Sequence, residues 1–349
     1  MEVVSEIRNH VALVTLNRPD ALNALSLGMI LRLRTLFGEF SADPQVFAVL
    51  IRGAGEKAFC AGGDVRALYK SFKSAGSLHN EFFAAEYPLD NLLYSYPKPY
   101  AALLDGITLG GGMGISQGSS LRIVGERTLM GMPEVAIGFF PDVGGSYFLS
   151  RLPGMLGRYL ALTGLKIRAA DALYSHLADL YLPPAAIASI ANDLSALHWG
   201  SDRVADLRRF LQARAATPES APALPALRQC IDLHFSKASV AAILSSLESE
   251  TRGAHAAWAG ETAQLMRSRS PTLLSVTLRQ LQRGASMSLA DCFRMELGMA
   301  AYAFEQGDFL EGVRAVLIDK DNQPRWRPSR IEDVTDSMID AWFSATSLP

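Results

Sequence analysis

Glycines in two short segments place the strongest limit on how this chain can fold. Residues 56–69 read EKAFCAGGDVRALY, and residues 105–114 read DGITLGGGMG. In both, a strand-like apolar run ends in consecutive glycines, whose bare backbone N–H groups can approach a partner without a Cβ in the way. Two such turns predict an oxyanion hole in which Gly63 and Gly111 donate to a carbonyl oxygen that gains negative charge. The alternative is that both are ordinary turn glycines.

The glycine spacing does not fit the loops that hold nucleotide phosphates. Residues 110–114, GGGMG, cannot be aligned with GxGxxG in any frame, and no Gly-Lys-Ser/Thr follows them. Residues 114–118, GISQG, do match the GxSxG pattern of serine hydrolases, with Ser116 at the centre. Such a serine must sit on a tight turn directly after a strand, whereas Ser116 lies beyond the glycines in a helix-like stretch. The sequence therefore favours a core-facing Ser116.

Apolar periodicity predicts strands and helices in alternation in the first part of the chain. Residues 2–17 alternate as a two-stranded hairpin, residues 26–43 have helical spacing behind a Ser N-cap, and residues 47–55 read as a short buried strand. The pattern returns from residue 98, where a strand, a glycine turn and a small-residue helix follow one another. Repeated ββα units of this kind predict an α/β fold with a mixed sheet.

The pattern changes after residues 144–154, GGSYFLSRLPG, beyond which apolar residues recur three and four positions apart. We therefore expect the strands to end before that point and helices to follow. The predicted organisation is a ββα core that holds the active site in residues 1–200, and a helical C-terminal region in residues 201–349.

Composition and charge exclude several classes of protein. A formal charge of −2, with 49% hydrophobic and 19% charged residues, describes a globular chain that does not coat nucleic acid. The three cysteines form no CxxC pair and the six histidines show no metal-ligand spacing, so neither a disulfide framework nor a metal site is predicted. No run approaches the roughly 18 apolar residues of a membrane span, and no targeting segment is evident. We therefore expect a cytoplasmic protein.

Two carboxylates in a nearly uncharged segment are the clearest candidates for chemistry. Glu134 and Asp142 flank the apolar residues 135–141 in PEVAIGFFPDVGG. Apolar surroundings disfavour the ionised form of a carboxyl, so such a group can accept a proton near neutral pH. The structural alternative makes Glu134 a cap of a helix or strand and places Asp142 in an Asx turn before the two glycines.

Taken together, these segments resemble the crotonase (enoyl-CoA hydratase/isomerase) superfamily. KAFCAGGD and GITLGGGMG are similar to its two oxyanion loops, and three further segments are similar to its thioester-hydrolysing branch. Those three are residues 133–154, 270–281 and 308–328, so the resemblance extends over nearly the whole chain. It implies a crotonase-like spiral of ββα units with a helical C-terminal region. It also implies a homo-oligomer, trimer or hexamer, unless the helical region covers the same surface within a monomer.

The resemblance also implies roles for individual residues. Gly63 and Gly111 would form the oxyanion hole, with Gly111 among the substrate contacts. Glu134 and Asp142 would be both catalytic and substrate-binding. Glu86, in AAEYPLD, falls where the family has a further substrate-binding carboxylate. From the sequence alone, Glu86 could equally be a solvated charge on a helix.

One departure from the family's hydratases indicates the reaction. Those enzymes have a second glutamate two residues after the third glycine of the glycine-rich helix, and this chain has Gly114 there. The resemblance therefore implies hydrolysis of a 3-hydroxyacyl-CoA thioester. Glu134 would act as general base or nucleophile, and Asp142 would bind the 3-hydroxyl group or orient the water. CoA would enter as part of the substrate, with no other cofactor. The alternatives are hydration or isomerisation of another acyl-CoA, and acyl-CoA binding without catalysis.

Overall fold

The computed structural model describes residues 1–344, which divide into two compact units. The first unit consists of residues 1–64, 88–130 and 167–222, and the second of residues 65–87, 131–166 and the chain from Ala223 onwards. Each unit is therefore assembled from separated stretches of sequence. The division into residues 1–200 and 201–349 follows chain order instead, and it stays a prediction.

The first unit contains a six-stranded sheet with the order β1-β2-β3-β5-β7-β10. The first pair of strands is antiparallel and every later pair is parallel. Asn9 and His10, both at positive φ, form the two-residue turn of the predicted hairpin. The strands are β1 (Val3–Arg8), β2 (Val11–Leu16), β3 (Ala48–Gly53), β5 (Tyr100–Leu104), β7 (Leu121–Val124) and β10 (Leu180–Tyr181).

A smaller four-stranded sheet lies in the same part of the chain, in the order β4-β6-β8-β9. Its strands are β4 (Ala58–Cys60), β6 (Ile107–Leu109), β8 (Leu129–Gly131) and β9 (Ile167–Arg168). The expectation that strands end before residue 144 is wrong, because β9 and β10 follow it. Each has only two residues, which is too short to produce a period-2 pattern.

Helices cover one face of the larger sheet and complete the core of the first unit. Residues of β2, β3, β5 and β7 pack there against α8 (Pro184–Asp193) and α9 (Arg203–Gln212), with Leu13 and Leu50 among the fully buried side chains. The predicted helix from Ser26 is present, and the Ser26 hydroxyl accepts the Met29 N–H at 3.1 Å. The helices are α1 (Leu27–Ala42), α4 (Gly111–Gln117), α7 (Ala169–Tyr174), α8 (Pro184–Asp193) and α9 (Arg203–Gln212).

The second unit is mainly helical, which confirms the helical C-terminal region. Helix α3 (Leu78–Tyr94) contains the boundary between the units, which falls at Pro88. The other helices are α2 (Val65–Lys73), α5 (Gly145–Phe148), α6 (Leu156–Thr163), α10 (Leu224–Phe235), α11 (Val240–Glu248), α12 (Gly253–Arg267), α13 (Pro271–Gly284), α14 (Leu289–Gln306), α15 (Phe309–Val313) and α16 (Asp336–Ser344). Over the described residues, none of the helices combines the length and the apolar composition needed to cross a membrane.

Candidate active site

The two glycine turns of the first unit lie side by side. Strands β4 and β6 are parallel neighbours, so the turns that follow them leave the small sheet at the same edge. Gly62 has φ +102°, and a Cβ there would lie 3.2 Å from the Leu109 carbonyl oxygen and 3.6 Å from the Gly111 nitrogen. Both the left-handed backbone and the close approach of the second loop therefore require glycine at this position.

The backbone N–H groups of Gly63 and Gly111 are available to an acceptor. Leu25 accepts the Asp64 N–H at 2.9 Å and donates to the Gly62 carbonyl at 2.8 Å, so this parallel bridge uses the neighbours of Gly63 and leaves its own N–H unused. Gly111 is the first residue of α4, where a helix leaves its N–H groups without internal acceptors. Within residues 1–344, neither of the two N–H groups donates a hydrogen bond.

Helix α4, which begins at Gly111, supplies no further reactive group. Ser116 is completely buried, and its hydroxyl donates to the Met113 carbonyl at 3.1 Å. It faces the core as predicted, and nothing in its surroundings resembles a nucleophile elbow. Gly114 is also buried in this helix, whose sequence GGMGISQ contains no carboxylate.

A cluster of buried carboxylates lies in the second unit. Glu86 on α3, Glu134 and Asp142 are only 2%, 8% and 5% exposed. The solvated alternative for Glu86 is therefore wrong. Burial raises the pKa of Glu86 well above its usual value, and the charges of Asp142 and Glu134 raise it further. Three carboxyl groups that the sequence separates by up to 56 positions (86 to 142) are thus close enough to influence one another's ionisation.

Glu134 is held at the start of a short 3-10 turn, Glu134–Ile137, directly after Pro133. Burial raises its pKa well above the usual value, and the neighbouring Asp142 raises it further. The Glu134 Oε2 and Glu86 Oε1 atoms are buried and have no hydrogen-bond partner among the described residues. A buried, unpaired carboxylate oxygen is costly to the fold, so these atoms are suited to accept a proton or a ligand hydrogen bond.

Asp142 is oriented by a tyrosine from α3. The Tyr87 hydroxyl donates to Asp142 Oδ2 at 2.8 Å. Burial raises the pKa of Asp142 to about 7, while this hydrogen bond opposes the rise. The Asx turn is not formed, because the Gly144 N–H donates to Glu296 on α14 instead of to the Asp142 side chain. The orientation of the Asp142 carboxyl group is therefore determined by Tyr87 and not by a hydrogen bond from the Gly144 N–H.

Tyr87 and Glu296 are the residues of this cluster that the sequence did not single out. Tyr87 adjoins Glu86 but carries no motif of its own. Glu296 stands in the sequence RMELGM, where a lone charge among apolar neighbours on a predicted helix could have signalled a buried role. No three His, Cys, Asp or Glu side chains in residues 1–344 are grouped so that they could hold a metal ion.

Comparison with known proteins identifies the family of the chain. The family model described as enoyl-CoA hydratase/isomerase matches residues 11–343. The chain therefore belongs to the enoyl-CoA hydratase/isomerase family and has the crotonase fold. Among its curated relatives are mitochondrial 3-hydroxyisobutyryl-CoA hydrolases. That of Xenopus tropicalis is 43% identical over 95% of this chain and 86% of the relative.

Two solved structures cover almost the entire chain. A carnitinyl-CoA dehydratase from Mycobacterium thermoresistibile has a TM-score of 0.89 and 39% identity, covering 98% of this chain and 96% of its own. An enoyl-CoA hydratase from Rhodobacter sphaeroides has a TM-score of 0.87 and 34% identity. The match covers 99% of this chain and 97% of the hydratase. The fold predicted from the resemblance is thereby confirmed over both units.

The comparison corrects the predicted location. The sequence led us to expect a cytoplasmic protein, whereas the 3-hydroxyisobutyryl-CoA hydrolases that the chain resembles are described as mitochondrial. The expectation of a cytoplasmic location is therefore wrong. It rested on the absence of features in the sequence, which is weak ground for assigning a compartment.

Proposed function

We propose that this protein hydrolyses the thioester of 3-hydroxyisobutyryl-CoA, and of the smaller 3-hydroxypropionyl-CoA, to the free hydroxy acid and CoA. In a cell this reaction would belong to the breakdown of valine. Support comes from the curated relatives of that name and from the chemistry of the carboxylate cluster.

One observation carries the choice of hydrolysis over hydration. Glu134 and Asp142 come from the same segment, and the charge of Asp142 raises the pKa of Glu134, whereas α4 contributes Gly114 and no carboxylate. Syn hydration of a double bond requires two carboxylates that position one water, and the resemblance places the second of them on α4. Thioester hydrolysis needs only one proton acceptor together with stabilisation of the oxyanion.

In the first form of the mechanism, Glu134 acts as a general base. Its carboxylate takes a proton from water, and the water oxygen attacks the thioester carbonyl carbon. The oxyanion that forms is stabilised by the N–H groups of Gly63 and Gly111. Its collapse breaks the C–S bond, and the proton held by Glu134 passes to the CoA thiolate. The raised pKa of Glu134 suits both transfers.

In the second form, Glu134 is the nucleophile. Its carboxylate attacks the carbonyl carbon, and the C–S bond breaks with release of the CoA thiolate. This leaves a mixed anhydride between Glu134 and the acyl group, which water then hydrolyses to the hydroxy acid and the Glu134 carboxylate. Single-turnover hydrolysis in ¹⁸O-labelled water tests the second form. Label in the side chain of Glu134 after one turnover identifies an anhydride that water cleaves at the Glu134 carbonyl, whereas label only in the hydroxy acid excludes that route.

Asp142 is proposed to bind the substrate 3-hydroxyl group or to orient the attacking water. Its Oδ2 accepts a hydrogen bond from the Tyr87 hydroxyl, which orients the carboxyl group towards the substrate or the water. A site built to hydrogen-bond a hydroxyl rejects analogues without it, because a buried polar group is then left unpaired. Glu86, with its buried unpartnered oxygen, is proposed as a further substrate contact.

We further propose that CoA enters as part of the substrate and that no separate cofactor is needed. Each step of the proposed hydrolysis uses only carboxyl groups, backbone N–H groups and water.

Light scattering during size-exclusion chromatography distinguishes a monomer from the trimer or hexamer implied by the resemblance.

The proposal is tested by following free CoA thiol from 3-hydroxyisobutyryl-CoA with a thiol reagent. In parallel, crotonyl-CoA is monitored for loss of its enoyl absorbance. We expect fast thiol release and no change in crotonyl-CoA. Hydration of crotonyl-CoA with an intact thioester would refute the proposal.

Enoyl-CoA hydration is the second candidate, and Glu86 is the observation in its favour. Glu86 is a third buried carboxyl group with an unpartnered oxygen, so it could replace the glutamate that is absent from α4. In that case Glu86→Gln would abolish hydration of crotonyl-CoA. An exposed glutamate on the same helix, Glu81, provides the matched control as Glu81→Gln.

A further inference from the structure

A buried glutamate on α14 holds the turn that follows Asp142. Glu296 is completely buried, and its two carboxylate oxygens each accept one hydrogen bond, from the Gly144 N–H and from the Ser146 N–H, both at 2.8 Å. Burial raises the pKa of Glu296 to about 8, and the hydrogen bonds from Gly144 and Ser146 oppose that rise. Glu296 therefore fixes the backbone immediately after Asp142 and makes no hydrogen bond to the Asp142 carboxyl group itself.

This turn depends on support from outside because its backbone is strained. Val143 has φ +49° and Gly144 has φ +86°. The left-handed region is unfavourable for a β-branched residue such as valine and persists only where the surrounding structure enforces it. Without that enforcement, Val143 would relax to negative φ and Asp142 would move with it.

Helix α13 makes a second, independent contact with the same turn. The Gln280 side-chain amide donates to the Pro141 carbonyl at 2.6 Å and to the Ser146 hydroxyl at 2.8 Å. A Cβ at Gly284 on that helix would lie 2.3 Å from the Ser146 carbonyl oxygen, so the helix backbone lies directly against the turn. The turn is therefore bound on both sides of Asp142, at Pro141 and at Ser146.

Helix α14 also contacts the other group that orients Asp142. The Phe293 ring lies 6.1 Å from the Tyr87 ring, centroid to centroid, and the Tyr87 hydroxyl donates to Asp142 at 2.8 Å. Phe293 and Glu296 are one helical turn apart and so lie on the same face of α14. This face contacts both the backbone and the phenol that set the position of Asp142.

We propose that Glu296 is a positioning residue that sets the Asp142 carboxyl group for the reaction by holding the strained turn through Gly144 and Ser146. The role assigned to Asp142 rests on the proposed function. Glu296 lies more than 150 positions from Asp142 in the sequence (142 to 296) and belongs to none of the motifs that identified the site.

A double-mutant cycle between Glu296 and Asp142 tests this role. Glu296→Gln keeps the size of the side chain but replaces one acceptor oxygen with an amide that cannot accept an N–H. We expect kcat/KM for thiol release from 3-hydroxyisobutyryl-CoA to fall about 10²-fold. In the Asp142→Asn background the same change should cost little more, because the group being positioned is already lost. The proposal would be overturned if the double variant lost the product of the two single-variant factors in kcat/KM. It would also be overturned if Glu296→Gln alone lost no activity.

The cycle needs a matched control and a second variant in case Glu296→Gln does not fold. Glu305→Gln removes an exposed glutamate from the same helix and should leave kcat/KM unchanged. If circular dichroism shows that Glu296→Gln does not fold, Gln280→Leu takes its place in the cycle with Asp142→Asn, and multiplying losses again overturn the proposal.

The cycle is also run on the Kd of the CoA ester by calorimetry, which does not require turnover. If the wild-type protein binds the ester but hydrolyses none, the proposed function fails. A non-additive Kd cycle then still supports the positioning role, and an additive one overturns it.

Discussion

The glycine turns of the first unit and the carboxylate cluster of the second are built in opposite ways. The turns present backbone N–H groups, and their geometry follows from which residues lack a Cβ, as Gly62 illustrates with its φ of +102°. The cluster presents side chains whose chemistry depends on what surrounds them, since Glu86, Glu134 and Asp142 all owe their raised pKa values first to burial.

Because of this difference, the turns and the cluster can be disrupted independently. A substitution in a glycine turn changes where a donor lies but leaves all charges in place. A substitution at Glu86, Glu134 or Asp142 changes proton affinity but leaves the backbone in place. Variants of both regions test this contrast.

The largest effect is expected in the cluster. Glu134→Gln removes the proposed proton acceptor or nucleophile, so kcat for thiol release should fall by about 10³-fold or more. KM should change far less, because the amide keeps the size of the side chain. Initial rates of CoA release measure the change. Glu39→Gln, an exposed glutamate on α1, is the control. Full activity in Glu134→Gln would remove the basis of the mechanism.

The corresponding change in a glycine turn is Gly62→Ala. Alanine is strained at φ +102°, and its Cβ would lie 3.2 Å from the Leu109 carbonyl oxygen, so the adjoining Gly63 N–H should be displaced. Loss of one oxyanion donor lowers kcat by about 10²-fold. The control is Gly38→Ala on α1, where a Cβ meets nothing within 4 Å. An unchanged kcat in Gly62→Ala would argue against an oxyanion hole at this turn.

A smaller effect is expected at the contact that orients Asp142. Tyr87→Phe removes the hydrogen bond that lowers the pKa of Asp142, so this pKa should rise above about 7. The acid limb of the kcat/KM profile should then move to higher pH, with about a tenfold loss of rate near neutral pH. A pH–rate profile of both proteins measures this. A uniform loss of rate without a shift would mean that Tyr87 acts only through packing.

Stability should depend on pH in the direction that buried carboxyl groups dictate. The folded pKa of Asp142, about 7, lies above the unfolded value of 3.8, so the folded protein binds more protons between these limits. The stabilisation from this group is complete below the unfolded pKa and is lost as the pH rises towards 7. Asp142→Asn should remove this part of the slope, by up to about 1.4 kcal/mol per pH unit. Urea unfolding at several pH values measures it.

The control for the pH dependence is Asp20→Asn, which changes an exposed carboxylate of the first unit. It should leave the slope as in the wild type. A slope that is the same in Asp142→Asn and the wild type would show that the Asp142 carboxyl group is not titrating in this range.

The smallest effect is expected at Ser116. Its hydroxyl is buried and donates to the Met113 carbonyl, so Ser116→Ala should alter kcat by less than about twofold and the free energy of unfolding by about 1 kcal/mol. Thiol release and thermal unfolding test both statements. A large loss of activity in a folded Ser116→Ala protein would revive the serine-hydrolase alternative.

Much of the fold could be predicted because its signals are local. The Asn9-His10 turn, the Ser26 cap and the glycine turns each follow from a few neighbouring residues. The strands β9 and β10 could not be predicted, since two residues give no periodicity and such strands form only where a partner strand is already present.

The order of residues was enough to locate the glycine turns, to show which segments carry carboxylates without a neighbouring charge, and to indicate the family that the chain resembles. Only the folded chain shows that Glu86 is buried, that Tyr87 donates to Asp142, and that Glu296 holds the turn after it. A backbone conformation is limited by the residues on either side of it, whereas the proton affinity of a carboxyl group is set by desolvation and by charges that the fold brings from distant positions.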